Sequence, residues 1–196
     1  MFLPTEPSAD VISKFITSQR DLPFSYEAVG STNGIPPRVY TIDHNRIQIG
    51  SGQRVYQRAV EALRHWRHFD LGWARIAPPN VVIEVGATVA VKTRAYGFWS
   101  LNACRVVYLI NEDSQNKRFG FAYGTLPDHA EEGEERFTVE WHGDDDSIWY
   151  DILAFSRPHH PLVRLTFPLA RRLQKRFARD SQRRMVELSR AAVSSP

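Results

Sequence analysis

Phe119-Gly120-Phe121-Ala122-Tyr123-Gly124-Thr125-Leu126-Pro127-Asp128-His129-Ala130-Glu131-Glu132-Gly133-Glu134-Glu135-Arg136-Phe137 is the stretch on which the reading of this chain turns. Two alternating apolar runs flank a turn-forming acidic segment, the pattern of strand, connection and strand in an antiparallel sheet. Nowhere else do Gly, His, Glu, Arg and aromatic residues crowd so closely. Strand side chains alternate between faces, so Glu135 and Phe137 should share one face while Glu134 and Arg136 share the other. One glutamate of the segment is therefore expected to point inward, and the best candidate is Glu135. Gly124, Thr125 and Pro127 after Tyr123 suit a bulge or close backbone approach followed by a rigid exit.

Outward from this segment, period-two β-branched runs predict strands over 81–91, 101–110, 118–123, 136–141 and 148–155. Connections this short favour antiparallel neighbours, and without alternating strands and helices a doubly wound parallel sheet is unsupported. Upstream, Val11, Ile12, Phe15 and Ile16 mark a helix that Thr5 or Ser8 could cap. A short strand is expected over 24–29 and a strand or extended loop over 38–49. Val55, Ala59, Ala62 and Trp66, widened by Leu63 and Phe69, predict an amphipathic helix over 53–69 lying on the sheet. Downstream, Leu162, Leu165, Leu169, Leu173 and Phe177, continued by Met185 and Leu188, predict a long C-terminal helix within 160–190 that Pro168 kinks or delays. The fold class expected is α+β: a curved antiparallel β-sheet wrapped around that helix, with shorter helices closing the other side.

Composition narrows the function. With 196 residues, 42% of them hydrophobic, the chain suits one domain spanning 1–196, with an N-terminal helix within 1–22. Five Trp, seven Tyr and eleven Phe could line a roomy interior or fill a dense one. Cys104 stands alone, so no internal disulfide framework is expected; a small buried hydrophobe in a reducing cytosol fits better than a nucleophile. No secretion signal or membrane span is legible, and a cytoplasmic protein is expected. The net charge of +3 hides a basic C-terminal segment and an acidic central one.

The segments Phe24-Ser25-Tyr26, Gly30-Ser31-Thr32, Cys104-Arg105-Val106-Val107-Tyr108, the Gly124-Thr125-Leu126-Pro127 turn, His129, Gly133-Glu134-Glu135-Arg136-Phe137 and Phe155-Ser156-Arg157-Pro158 together resemble an uncharacterised family of bacteria and plants, catalogued as domain of unknown function nineteen-ninety. That family is similar to the START-like and pollen-allergen-like helix-grip superfamily. The resemblance implies a cavity between the C-terminal helix and the sheet. It supplies no activity, because the superfamily spans carriers, receptors and cyclases.

The candidate ligand-binding residues are Arg105, Tyr123, Thr125, His129, Glu135 and Phe137, holding a small apolar or amphipathic molecule. An enzyme of cyclase, isomerase or hydrolase type is the alternative, with Glu135, His129 and Tyr123 as candidate catalytic groups, since desolvation would move carboxyl and imidazole towards neutrality. A third reading is a protein- or membrane-interaction module, in which the acidic rim engages a partner or Arg172, Lys175, Arg176, Arg179 and Arg183 form a weak binding face for an anionic surface; a solvated helix face explains them as well, and no aromatic residues interleave them as specific nucleic-acid binding would favour. No cofactor is expected: Gly50-Ser51-Gly52 before a helix lacks the third glycine and βαβ context of a dinucleotide site. Neither His65 with His68 nor His159 with His160 completes a metal set, and Ser156 near His159 lacks a nucleophile elbow.

Overall fold

The computed structural model describes residues 1–159 and 167–190. In chain order the elements are β1 (Phe2–Leu3), α1 (Ala9–Gln19), β2 (Thr41–Ser51), α2 (Gln53–Arg64), β3 (Ala74–Ala77), β4 (Thr88–Ala95), β5 (Phe98–Asp113), β6 (Lys117–Thr125), β7 (Glu131–Trp141), β8 (Ser147–Pro158) and α3 (Phe167–Arg190). The strands form an antiparallel sheet in the order β2-β8-β7-β6-β5-β4-β3, with β1 paired to β5. Register shifts at Gln48/Gly50 in β2 and Val106/Tyr108 in β5 insert extra residues, and such bulges bend the strands that carry them. The curved sheet closes over α3, as the α+β helix-grip expectation required.

Two cores lie on the two faces of the sheet. On the concave side Leu63, Trp66 and Phe69 pack with Phe121, Phe137, Tyr150 and the α3 residues Ala178 and Met185. Buried apolar area of this kind contributes roughly 25 cal/mol per Å². The second half of α3 is also tied by hydrogen bonds, Tyr150 Oη to Ser181 Oγ at 2.9 Å and Ser189 Oγ donating to the Ile49 carbonyl at 3.2 Å. On the convex side Phe15 and Ile16 of α1 cover Ala90, Leu101, Ala103 and Leu126. Ser8 caps α1, its Oγ accepting from the Val11 amide at 3.3 Å.

Several elements differ from the sequence expectation. Residues 24–29 form a loop rather than a strand, because their polar groups go to side chains and to Thr125 instead of a ladder; the Ser25 amide donates to the Thr125 carbonyl at 3.0 Å. Residues 81–87 are irregular, with Val82 and Val85 exposed, and β4 begins only at Thr88. Their β-branched composition has no neighbour to pair with, since β3 pairs only with the later part of β4, over Ala90 to Thr93. The helix over 53–69 stops at Arg64, Trp66 turns left-handed at φ 55°, and a 3-10 turn at Arg67–Phe69 folds Phe69 back into the core. In α3, Pro168 occupies the first described turn, where the missing amide costs nothing. The expected positions Leu162 and Leu165, with the rest of 160–166, lie outside the described residues.

Candidate functional site

Between the first half of α3 and the sheet lies a cavity of about 770 Å³. Phe69, Trp73, Tyr123 and Phe177 give it aromatic walls, and Asp43, Asn102, His129, Glu131, Glu135 and Gln174 its polar groups. The alternation of β7 decides which glutamates arrive there. Glu131, Gly133 and Glu135 share the concave face, so two carboxylates enter the cavity where one was expected.

Glu135 pairs across the sheet with Tyr123, and Tyr123 Oη donates to Glu135 Oε2 at 2.8 Å. Protein surrounds this carboxyl, and its remaining accessible edge faces the cavity. Desolvation raises its pKa from 4.5 to about 7, opposed by the Tyr123 hydrogen bond and reinforced by the charges of Glu131 and Asp43. Burial likewise raises Glu131, against a hydrogen bond from Ser156, the charge of Arg171 and a hydrogen bond from Gln174. Gln174 Nε2 reaches both the Glu131 carboxylate and, at 3.0 Å, Ser156 Oγ. One turn earlier on α3, Arg171 grips the Asp43 carboxylate with both terminal nitrogens, Nη2 to Oδ1 at 2.6 Å. Such two-pronged pairs are the stronger kind. The cavity half of α3 is thus held largely by polar bonds, while its second half is held by packing together with the Ser181 and Ser189 hydrogen bonds.

The other expected residues fall in different places. His129 lines the cavity, its Nδ1 within hydrogen-bond distance of the Glu131 amide (3.0 Å) and carbonyl (2.8 Å), and burial lowers its pKa to about 4, so the ring is neutral at ordinary pH. Thr125 lines it too, but its hydroxyl bridges Gly133, accepting from the amide at 2.9 Å and donating to the carbonyl at 3.2 Å. Phe137 packs behind the wall against Phe69, Phe121 and His68. Arg105 is elsewhere: it donates to the carbonyls of Gln19 (3.2 Å) and Leu22 (2.9 Å) at the end of α1, on the convex side. The β5 bulge follows at Val106/Tyr108, but alternation from Cys104, which faces the concave core, already turns Arg105 outward.

Glu134 explains several other residues of the quoted motifs. On the convex face its carboxylate accepts from Tyr26 Oη at 2.7 Å, the Gly30 amide at 2.6 Å, the Thr32 amide at 2.9 Å and the Thr32 hydroxyl. A side chain at Gly124 would meet Tyr26 Oη at 2.1 Å, and one at Gly133 would meet the Phe155 carbonyl at 1.9 Å. The glycine-rich motif therefore builds the wall, and Glu135 faces the space behind it.

Two features escaped the sequence reading. Asp43, Glu131 and Gln174 come from three distant elements; only the parity of 131 with 135 hinted at Glu131. His68, which nothing in the sequence marked for burial, is fully buried with neither ring nitrogen bonded among the described residues, and desolvation lowers its pKa to about 3. The αL turn at Trp66 rotates it inward, which helical periodicity could not show. Among the described residues no group of three His, Cys, Asp or Glu is placed to hold a metal ion, and no helix is long and apolar enough to cross a membrane.

A family model described as "Domain of unknown function (DUF1990)" matches residues 25–184. A UPF0548 protein of Dictyostelium discoideum is 36% identical over 205 residues, covering 95% of each chain. A UPF0548 protein of Deinococcus radiodurans is 34% identical over 199 residues, covering 95% of this chain and 98% of the other. Among solved structures, the hypothetical protein jhp0584 from Helicobacter pylori superposes with a TM-score of 0.56 at 14% identity, over 86% of this chain and 96% of that one. That likeness concerns the fold alone.

Proposed function

This chain belongs to the DUF1990 family, and we propose that it binds a small apolar or amphipathic molecule in the cavity between α3 and the curved sheet. The observation that carries this reading is the space itself: about 770 Å³ walled by aromatic rings, within the size range of small-molecule sites. A packed core leaves no such volume, because interiors reach crystal-like density. Tyr123, Thr125, His129 and Glu135 are the polar groups proposed to orient the guest, and Phe137 and Arg105 are left out of the set.

The test uses N-phenyl-1-naphthylamine, an uncharged dye whose emission rises in apolar surroundings. The protein should bind it, and Ala170→Trp, which places an indole on the cavity side of α3, should abolish binding while the circular dichroism spectrum stays unchanged. Absence of binding, or binding that ignores the substitution in a folded variant, would overturn the reading.

One observation favours turnover as a second reading. A carboxyl poised near neutrality at about 7 and open to the cavity suits proton transfer, with Glu135 as acceptor and Tyr123 as its partner. Conversion of a substrate that continues unchanged in Glu135→Gln would remove that assignment.

A further inference from the structure

Resting on the cavity reading above, we propose that the guest is an arylalkyl amine, its ammonium seated on the Glu135 carboxylate beside Glu131 and its apolar body against Trp73 and Phe177. The charges around the space point to this class. Arg171 is committed to Asp43; its charge reaches Glu131 without forming an ion pair, and among the described residues neither Glu131 nor Glu135 has an ion-pair partner. Gln174 and Tyr123 offer them only neutral hydrogen bonds. Among the described lining residues no arginine faces the cavity, and its one lysine, Lys175, is exposed on α3. An anionic head would meet two carboxylates, with the nearby Arg171 already held by Asp43.

The second oxygen of Glu135, Oε1, has no partner among the described residues, and the accessible part of the side chain opens to the cavity. A positive charge placed there lowers the energy of both carboxylates, whose mutual repulsion contributes to the raised pKa of Glu135. The aromatic walls add to the same preference, since ring faces attract organic cations. Binding of the cation then displaces the proton that Glu135 holds in the empty cavity: the carboxylic acid gives its proton to solvent and the ammonium keeps its own.

Displacement of N-phenyl-1-naphthylamine separates this claim from the cavity reading. 2-Phenylethylamine should displace the dye at least about tenfold more effectively than 2-phenylethanol, 4-phenylbutan-2-one or 3-phenylpropanoate, as a charge-assisted hydrogen bond predicts. The preference should vanish in Glu135→Gln and shrink in Glu131→Gln. In the unaltered protein, calorimetry in buffers of different ionisation enthalpy near about pH 6 should show release of close to one proton per amine bound. Dye binding with no preference for the amine, or amine binding without proton release, overturns the amine assignment and leaves the cavity standing. Failure of the dye itself to bind overturns both.

Discussion

Tyr26 Oη sits 2.7 Å from Glu134 Oε2, and the backbone of Gly124 passes directly beneath that ring. The 24–34 loop is therefore sewn to the convex face of β6 and β7 by one buried carboxylate. Gly124→Ala should destabilise the protein by about 1–3 kcal/mol, because its Cβ would stand 2.1 Å from the phenol oxygen and force the ring away. Tyr26→Phe removes one of four donors and should cost about 1–2 kcal/mol. Urea unfolding of both variants checks the order; an unchanged midpoint for Gly124→Ala would mean that the loop is not held there.

Glu135 should make stability fall as pH rises. Its folded pKa of about 7 lies above the ordinary 4.5, so its favourable proton is fully held below 4.5 and the contribution is lost as pH climbs to about 7. That gap corresponds to at most about 3 kcal/mol. Glu135→Gln should match the wild type near about pH 4.5 and exceed it near about pH 8. Equal stability of the two at both values would show that the carboxyl is not desolvated.

His68 works in the opposite direction. Its folded pKa, lowered from 6.5 to about 3, means that the unfolded chain takes up a proton that the fold excludes. Stability should fall as pH drops from 6.5 towards 3, by up to about 4–5 kcal/mol from this group. His68→Phe keeps a ring against Phe137 and Tyr150 while deleting two unbonded nitrogens. It should be neutral or stabilising at pH 7 and should flatten the acid limb of a thermal-melt series; a steep limb in that variant contradicts the assignment.

Arg171 should govern how firmly α3 lies over the cavity. Arg171→Ala breaks the paired contact with Asp43 and should speed amide exchange over residues 169–178, a loss of about 1–3 kcal/mol of local protection. Residues around Ser181, Met185 and Ser189, all fully buried, should keep their protection. Uniform acceleration along the helix would show that it opens as one unit.

The sequence by itself determined the curved antiparallel sheet, the amphipathic helices and the sidedness of Glu134 and Glu135, because hydrophobic period and strand alternation are local properties of the chain. It misjudged residues 24–29 and 81–87, where β-type composition met no available partner strand. The inward rotation of His68 depended on a single left-handed residue at Trp66, which side-chain pattern does not announce. Only the tertiary structure decided that Arg105 belongs to α1, that Glu131 joins Glu135, and that Asp43 and Gln174 complete the polar end of the cavity. Those residues come from β2, β5, β7 and α3, and long-range contact, desolvation and the volume left between elements are properties of the packed whole.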